Sequence, residues 1–242
     1  MSILIWKDVD HDGIDKMNLI HTVWSPPKNI QHEKGLLPTV FALHGHGANA
    51  QDLLGLAPYL DSGKILLICP EAEFQIQQGL PSYTWFNTEN GNRRTSEEFK
   101  RVTKLLSEFI TDATNQYNVD PERTIVLGFS QGGGLAYELG LSMPERFQGI
   151  AALSTSLPEE TATSTSTINE YHERLSIFIQ HGVLDEIVTI DRGRDARDQL
   201  EKVGLKLKYY EYQMQHQISA ESLTELSTWI NEVINLKSSI RQ

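Results

Sequence analysis

A serine between two glycines follows an apolar run near the middle of the chain. The segment Gly128–Gly132 reads GFSQG and comes directly after Thr124–Leu127. A G-x-S-x-G sequence between a strand and a helix is typical of a tight turn that exposes the serine hydroxyl as a nucleophile. The glycines are needed because side chains there would clash with neighbouring backbone. The same residues also fit an ordinary turn with a helix-capping serine, so Ser130 needs partners before it indicates catalysis.

The first partner that Ser130 needs is a base. A serine hydroxyl is a poor nucleophile near neutral pH and depends on a histidine that a carboxylate orients. On a turn of this kind the partners follow along the chain in the order acid, then histidine. His216 follows both the serine and every candidate acid, just after the predicted strand Lys206–Tyr212. We therefore predict His216 as the base.

The orienting carboxylate is predicted at Asp185, in a glycine-containing loop after the predicted strand Ile177–Ile179. The adjacent Glu186 is the alternative, but a shorter side chain directly after the turn better suits a rigid orienting role. His181 lies at the strand end itself and is interpreted as a structural histidine rather than a competing base.

Acyl transfer also requires donors for the oxyanion, normally the backbone N–H after the nucleophile and one from an early strand-to-helix loop. Gln131 supplies the first amide, and His46 in the loop Leu43–Asn49 supplies the second. His44 and His46 are close enough in sequence to suggest a metal site. No carboxylate or third histidine accompanies them locally, so no metal is predicted.

Alternating strands and helices must position these residues. Short apolar runs separated by helical patterns predict buried parallel strands. The strands are predicted at Val40–Leu43, Ile65–Cys69, Thr124–Leu127, Gly149–Leu153, Ile177–Ile179 and Lys206–Tyr212. The helices are predicted over residues 99–113, 131–142, 190–203 and 220–234. A capping box at Thr95 and Glu98 marks the start of the first helix. The alternation indicates one α/β domain over residues 1–242.

Three stretches fall outside this alternation. Residues 3–6 and 17–24 flank Asp10–Gly13 and predict a hairpin at an antiparallel sheet edge. Pro70–Asn92 has no clear period, follows a strand and is predicted to line a pocket. Ser154–Asn169 is rich in serine and threonine, and it is interpreted as a solvated surface loop.

Composition argues against several classes of protein. A net charge of -11 disfavours a nucleic-acid partner, because a polyanion would be repelled by most of the surface. Cys69 is the only cysteine, which excludes an intramolecular disulfide and fits a cytoplasmic location. No apolar run approaches the roughly 20 residues that cross a bilayer, and the N-terminus lacks the pattern of a signal peptide.

The loop Leu43–Asn49, the turn Gly128–Gly132, the turn His181–Asp185 and His216 together resemble the phospholipase/carboxylesterase family. That family includes bacterial carboxylesterases and acyl-protein thioesterases. The resemblance runs from the first buried strand to the last helix. It implies an α/β-hydrolase fold, with helices on both faces of a mostly parallel sheet, an antiparallel N-terminal edge and no large cap domain.

The resemblance also implies a function. It makes Ser130, Asp185 and His216 the catalytic triad of a serine carboxylesterase, with the amides of His46 and Gln131 as oxyanion donors. No cofactor is expected, and the expected substrate is a small-molecule ester with a short to medium acyl chain. The alternatives are an acyl-protein thioesterase or lysophospholipase acting on long chains, and a non-catalytic binding protein. The sequence does not set the oligomeric state and leaves a homodimer open.

Trp85, Phe86 and Asn87 resemble a family segment that often ends in aspartate, which places Trp85 and Phe86 in the wall of the substrate pocket. Asn87 departs from that pattern and removes a charge near the expected substrate entrance. In the alternative interpretation, Trp85 and Phe86 only pack their loop onto the core.

Overall fold

An eight-stranded sheet is the centre of the computed structural model, which describes residues 2–6, 17–27, 35–87, 94–164 and 168–235. In chain order, the strands of these residues are β1 (Ser2–Trp6), β2 (His21–Ser25), β3 (Leu37–Leu43), β4 (Leu66–Pro70), β5 (Phe74–Gln75), β6 (Tyr83–Thr84), β7 (Val119–Phe129), β8 (Gly149–Leu153), β9 (Ser176–Gly182) and β10 (Leu207–Tyr212). The short strands β5 and β6 pair with each other as a separate antiparallel hairpin.

The order of strands across the sheet is β1-β2-β4-β3-β7-β8-β9-β10. The six strands predicted as parallel do pair in parallel. β1 and β2 are antiparallel at one edge, which confirms the predicted edge strands. The turn predicted at Asp10–Gly13 lies outside the described residues. The carboxyl ends of β3, β7, β9 and β10 meet at one edge of the sheet, where ligand sites of such folds lie.

Helices cover both faces of this sheet. In chain order, the α-helices of the described residues are α1 (Ser96–Gln116), α2 (Gln131–Ser142), α3 (Glu159–Ser164), α4 (Glu170–Arg174), α5 (Ile190–Lys202) and α6 (Ala220–Asn235). Side chains of α1, α2 and α5 join one buried apolar cluster, and those of α6 join a second cluster on the opposite face. The predicted α/β layering is therefore confirmed.

The start of α1 shows how local sequence sets an element boundary. Thr95 Oγ1 accepts the N–H of Glu98, and the carboxylate of Glu98 accepts the N–H of Thr95. These bonds satisfy two backbone donors that the first helical turn leaves free. The predicted capping box is confirmed.

The interpretation of Ser154–Asn169 as a solvated loop was wrong for its first part. Ser154, Thr155 and Thr161 are buried, and α3 lies within the segment. Thr161 Oγ1 donates to the carboxylate of Glu138 on α2 at 2.5 Å. A short hydroxyl side chain can be buried when it has a hydrogen-bond partner, so its polarity alone did not report its exposure.

The other unassigned stretch, Pro70–Asn92, contains the β5–β6 hairpin in its described part, which ends at Asn87. Within the described ranges, no helix is both long enough and apolar enough to cross a membrane.

Candidate active site

Ser130 occupies the turn between β7 and α2 in a strained backbone conformation. Its φ is 53° and its ψ is −117°, in a region that residues with a side chain rarely adopt. The N–H of Ser130 donates to the carbonyl of Leu153 on β8 at 2.9 Å, which helps to hold this conformation. A strained non-glycine residue that the surrounding structure fixes is typical of a functional site.

The two outer positions of the turn have no room for a side chain. A Cβ on Gly128 would lie 2.1 Å from the carbonyl oxygen of Gly132. A Cβ on Gly132 would lie 2.2 Å from the carbonyl oxygen of Leu43 on β3. Real Cβ atoms do not approach backbone so closely, so both positions must be glycine for Ser130 to stand on this turn.

His216 joins Ser130 to Asp185. Its Nε2 lies 2.9 Å from Ser130 Oγ, and its Nδ1 lies 2.7 Å from Asp185 Oδ2. Because a carboxylate only accepts, Nδ1–H donates to Asp185 and Nε2 is left to accept the serine proton. The structure therefore brings together three predicted residues from the ends of three different strands, in the geometry that general-base catalysis requires.

Hydrogen bonds to one carboxylate oxygen fix the side chain of Asp185. Its side chain is buried, and Oδ1 accepts the N–H groups of Ile187 at 2.9 Å and Val188 at 2.8 Å. These bonds leave Oδ2 facing His216. The neighbouring Glu186 is exposed. The carboxylate beside His216 is thus that of Asp185, and the alternative Glu186 does not take this place.

His181 lies beneath this loop. Its ring is fully buried, with Nε2 2.7 Å from the carbonyl oxygen of Val188 and 3.5 Å from Asp185 Oδ2. On α5, a Cβ at Gly193 would come within 2.6 Å of its Nδ1, so the absent side chain makes room for the ring. These contacts support the interpretation of His181 as a structural histidine.

Two neighbours of His216 were not identified from the sequence. The ring of Phe129 lies 4.8 Å from the His216 ring, centroid to centroid. A Cβ on Gly182 would lie 2.3 Å from the carbonyl oxygen of Met214, so Gly182 lets the loop that carries His216 approach the end of β9. The only sequence signal was a glycine at the end of an apolar strand.

The loop after β3 lies against the serine turn. An ideal Cβ on Gly45 would be 3.3 Å from Ser130 Cβ and 3.1 Å from the Phe129 ring. His46 follows directly. Among the described residues, neither the backbone N–H of His46 nor that of Gln131 donates to a backbone carbonyl or a side chain. Both amides therefore lack an acceptor among the described residues.

His44 is engaged in structural contacts. Its Nδ1–H donates to the carbonyl of Gly45 at 2.8 Å, and its Nε2 accepts the N–H of Ala72 at 3.1 Å. Burial lowers the pKa of His44 to about 4, so the ring is neutral near pH 7. Because both nitrogens have partners, His44 is not available as a metal ligand. The part of the chain that the structure describes contains no group of three or more potential metal-ligating side chains.

Trp85 and Phe86 lie beside this loop with their side chains almost fully buried, at 1% and 4% exposure. Trp85 Nε1–H donates to the carbonyl of His44 at 2.9 Å, and its ring packs on the His44 ring. Phe86 packs against Phe99 of α1. These contacts match the packing alternative. Contact of either side chain with substrate stays a prediction.

The chain is similar in sequence to known proteins. A sequence model described as Phospholipase/Carboxylesterase matches residues 29–234. The chain is 27% identical to acyl-protein thioesterase 1 of Mycosarcoma maydis, over 85% of this chain and 95% of that protein. It is 29% identical to carboxylesterase SOBER1 of Arabidopsis thaliana over 59% of this chain and 60% of that protein.

Two solved structures are also similar. The crystal structure of esterase PE8 has a TM-score of 0.70 at 25% identity and covers 82% of this chain and 94% of its own. The Bacillus cereus carboxylesterase has a TM-score of 0.72 at 20% identity, covering 89% of this chain and 95% of its own. At that identity the second likeness shows the fold alone.

Proposed function

Since the chain belongs to the phospholipase/carboxylesterase family and is a serine ester hydrolase, we propose that it hydrolyses carboxylic esters of short to medium acyl chain length at Ser130. The observation that carries this proposal is the hydrogen-bonded series Ser130–His216–Asp185, with distances of 2.9 and 2.7 Å. The series supplies a nucleophile, a base and an orienting acid in one place.

The first half of the reaction forms an acyl-enzyme. His216 Nε2 takes the hydroxyl proton while Ser130 Oγ attacks the acyl carbon. The carbonyl oxygen becomes an oxyanion, which accepts hydrogen bonds from the amides of His46 and Gln131. His216 then returns the proton to the alcohol oxygen as the ester bond breaks. Asp185 stabilises the positive imidazolium between these two proton transfers.

The second half releases the acid. A water molecule attacks the acyl carbon while His216 takes one of its protons. The second tetrahedral intermediate uses the same two amides. When the bond to Ser130 Oγ breaks, His216 returns the proton to that oxygen, and the carboxylic acid leaves. The two halves are chemically equivalent, because water replaces the alcohol.

Replacing Ser130 tests the proposal directly. Ser130→Ala is expected to lower kcat for p-nitrophenyl butyrate by a factor on the order of 10⁶, with an unchanged fold by circular dichroism. A fluorophosphonate should label the wild type at Ser130, as located by mass spectrometry. Ser142→Ala, which changes an exposed serine at the other end of α2, is the matched control. Near-normal turnover by Ser130→Ala, or labelling at another residue, would overturn the assignment. An unlabelled, inactive wild type would support the binding-protein alternative.

A second candidate function is hydrolysis of long-chain acyl thioesters. Large apolar side chains are exposed on both sides of Asp185, with Leu184 at 53% and Ile187 at 74% exposure. An acyl chain that covers such side chains gains roughly 25 cal/mol for each Å² of apolar surface buried. The thioesterase relative points the same way.

A chain-length series from acetyl to palmitoyl separates the two candidates. An optimum of kcat/KM at short chains supports the carboxylesterase, and an optimum at long chains supports the second candidate. Oxoester and thioester versions of one acyl group, compared on the same enzyme, show which leaving group is preferred.

A further inference from the structure

The side chain of Gln131 is bound to one neighbouring segment. Its Oε1 accepts the backbone N–H of Trp85 at 2.9 Å and the hydroxyl of Thr84 at 3.1 Å. Gln131 is the first residue of α2 and directly follows the nucleophile. Two donors that converge on one oxygen fix the orientation of the side chain, and with it the start of the helix.

The same segment is bound to the loop that carries the other predicted donor. Tyr83 accepts the N–H of Gly47 and donates its own N–H to the carbonyl of Ala48, both at 2.8 Å. Trp85 Nε1–H donates to the carbonyl of His44 at 2.9 Å. These partners lie on both sides of His46 in the chain.

We propose that Gln131 is a positioning residue for the oxyanion hole, and that it acts through the segment Tyr83–Trp85, which we call the bridging segment. The bridging segment connects the chain around one oxyanion donor, His46, to the side chain of the other, Gln131. It thereby sets the separation of their two amides. This inference rests on the proposed esterase function.

The energetic reason lies in preorganisation. Oxyanion donors are effective when they stand 2.7–3.1 Å from the oxyanion before it forms, because no reorganisation is then needed. Gly45 packs against Ser130 and Phe129. Without the bridging segment, the loop around His46 would keep this contact and the packing of Leu43 and His44 on Gly132, but it would lose its hydrogen-bonded connection to the Gln131 side chain. A small displacement of one donor weakens transition-state binding more than substrate binding.

Gln131→Met tests the inference, because methionine has a similar shape and no strong acceptor. We expect kcat to fall by about 10- to 100-fold while KM changes by less than about twofold. Phenylboronic acid adds to Ser130 Oγ and places an oxygen in the oxyanion position. Its affinity should fall by the same factor as kcat/KM, whereas inhibition by the carboxylic acid product should not change.

Thr84 provides a second pair of variants. Thr84→Val removes one donor to Gln131 and should lower kcat by a smaller factor, while Thr84→Ser keeps the hydroxyl and should restore wild-type kcat. Gln131→Met and Thr84→Val both remove the Thr84–Gln131 hydrogen bond, so the double variant should be little worse than Gln131→Met alone. Thr161→Val removes a hydrogen bond to Glu138 on the same helix. This control should lower the melting temperature and leave kcat unchanged.

The outcomes separate this inference from the proposed function. If the wild type hydrolyses esters and both Gln131→Met and Thr84→Val retain its kcat and boronate affinity, the inference fails and the proposed function stands. If both variants lose activity only in proportion to folded protein, the role of Gln131 is structural and the inference is again overturned. A wild type without esterase activity or fluorophosphonate labelling overturns both. If Gln131→Met does not fold, Thr84→Val alone decides by the same criteria.

Discussion

The two sides of Ser130 are built from different kinds of contact. On the base side, Ser130, His216 and Asp185 meet through short hydrogen bonds between side chains. On the oxyanion side, the loop after β3 meets the serine turn through backbone packing and through the bridging segment. Proton transfer depends on residue type, and oxyanion binding depends on the position of backbone amides. The base side therefore depends on the identity of three side chains, and the oxyanion side depends on the position of the backbone.

Histidines on the two sides show the same difference. The His216 side chain is 18% exposed and has one nitrogen on the nucleophile, so it can exchange protons with substrate and water. His44 is buried, and both of its nitrogens are bound within the protein. Under the proposed function His216 is a reactive group, whereas His44 is a neutral packing element because burial disfavours its charged form.

After Ser130→Ala, the largest expected effect is on the base side. Asp185→Asn should lower kcat on the order of 10⁴-fold with little change in KM, because an amide at this position favours the wrong tautomer of His216. Glu186→Gln changes the exposed neighbouring carboxylate and is the matched control. Steady-state kinetics on one ester measure both variants. Similar losses of kcat in the two variants would contradict the assignment of Asp185.

An intermediate effect concerns stability on the oxyanion side. The pKa of His44 is lowered from 6.5 to about 4 by burial, so unfolding at lower pH lets this group take up a proton. The contribution of His44 to the free energy of unfolding is fully present above pH 6.5. It is lost as the pH falls toward 4, which lowers the free energy of unfolding by up to about 3 kcal/mol. His44→Gln keeps a donor and an acceptor but does not titrate. Urea unfolding across this range should show a shallower pH dependence for His44→Gln, and equal slopes would refute the prediction.

The smallest expected effect displaces the loop itself. Gly45→Ala places a Cβ 3.1 Å from the Phe129 ring and 3.3 Å from Ser130 Cβ, so the loop must move by a few tenths of an ångström. We expect kcat to fall about 10-fold, which corresponds to about 1.4 kcal/mol. Gly55→Ala, where a Cβ meets nothing within 4 Å, is the control and should retain wild-type kcat. An unchanged kcat in Gly45→Ala would show that the loop position is not critical.

Much of the fold was predictable because its signals are local. Apolar runs predicted the parallel strands, and Thr95 with Glu98 predicted the start of α1. The burial of the segment around Thr161 was not predictable, since its partner Glu138 is 23 positions away. A hydroxyl gives the same sequence signal whether it faces water or a buried carboxylate.

In the candidate site, too, some residues were predictable from the sequence and others were not. Ser130, Asp185 and His216 were predicted as a group, because few residue types perform this chemistry and the fold class restricts their order. Thr84 was not identified, because threonine is common in loops and its partner Gln131 is 47 positions away. Trp85 was predicted near substrate, but its contacts are with His44 and Gln131.

The sequence by itself determined which side chains can carry the reaction and which strands and helices present them, because residue chemistry and hydrophobic periodicity are local properties. The tertiary structure alone decided that Thr161 is buried against Glu138, and that the bridging segment contacts both the loop around His46 and the side chain of Gln131. Both outcomes depend on contacts between residues far apart in the chain. These contacts form only when the core packs.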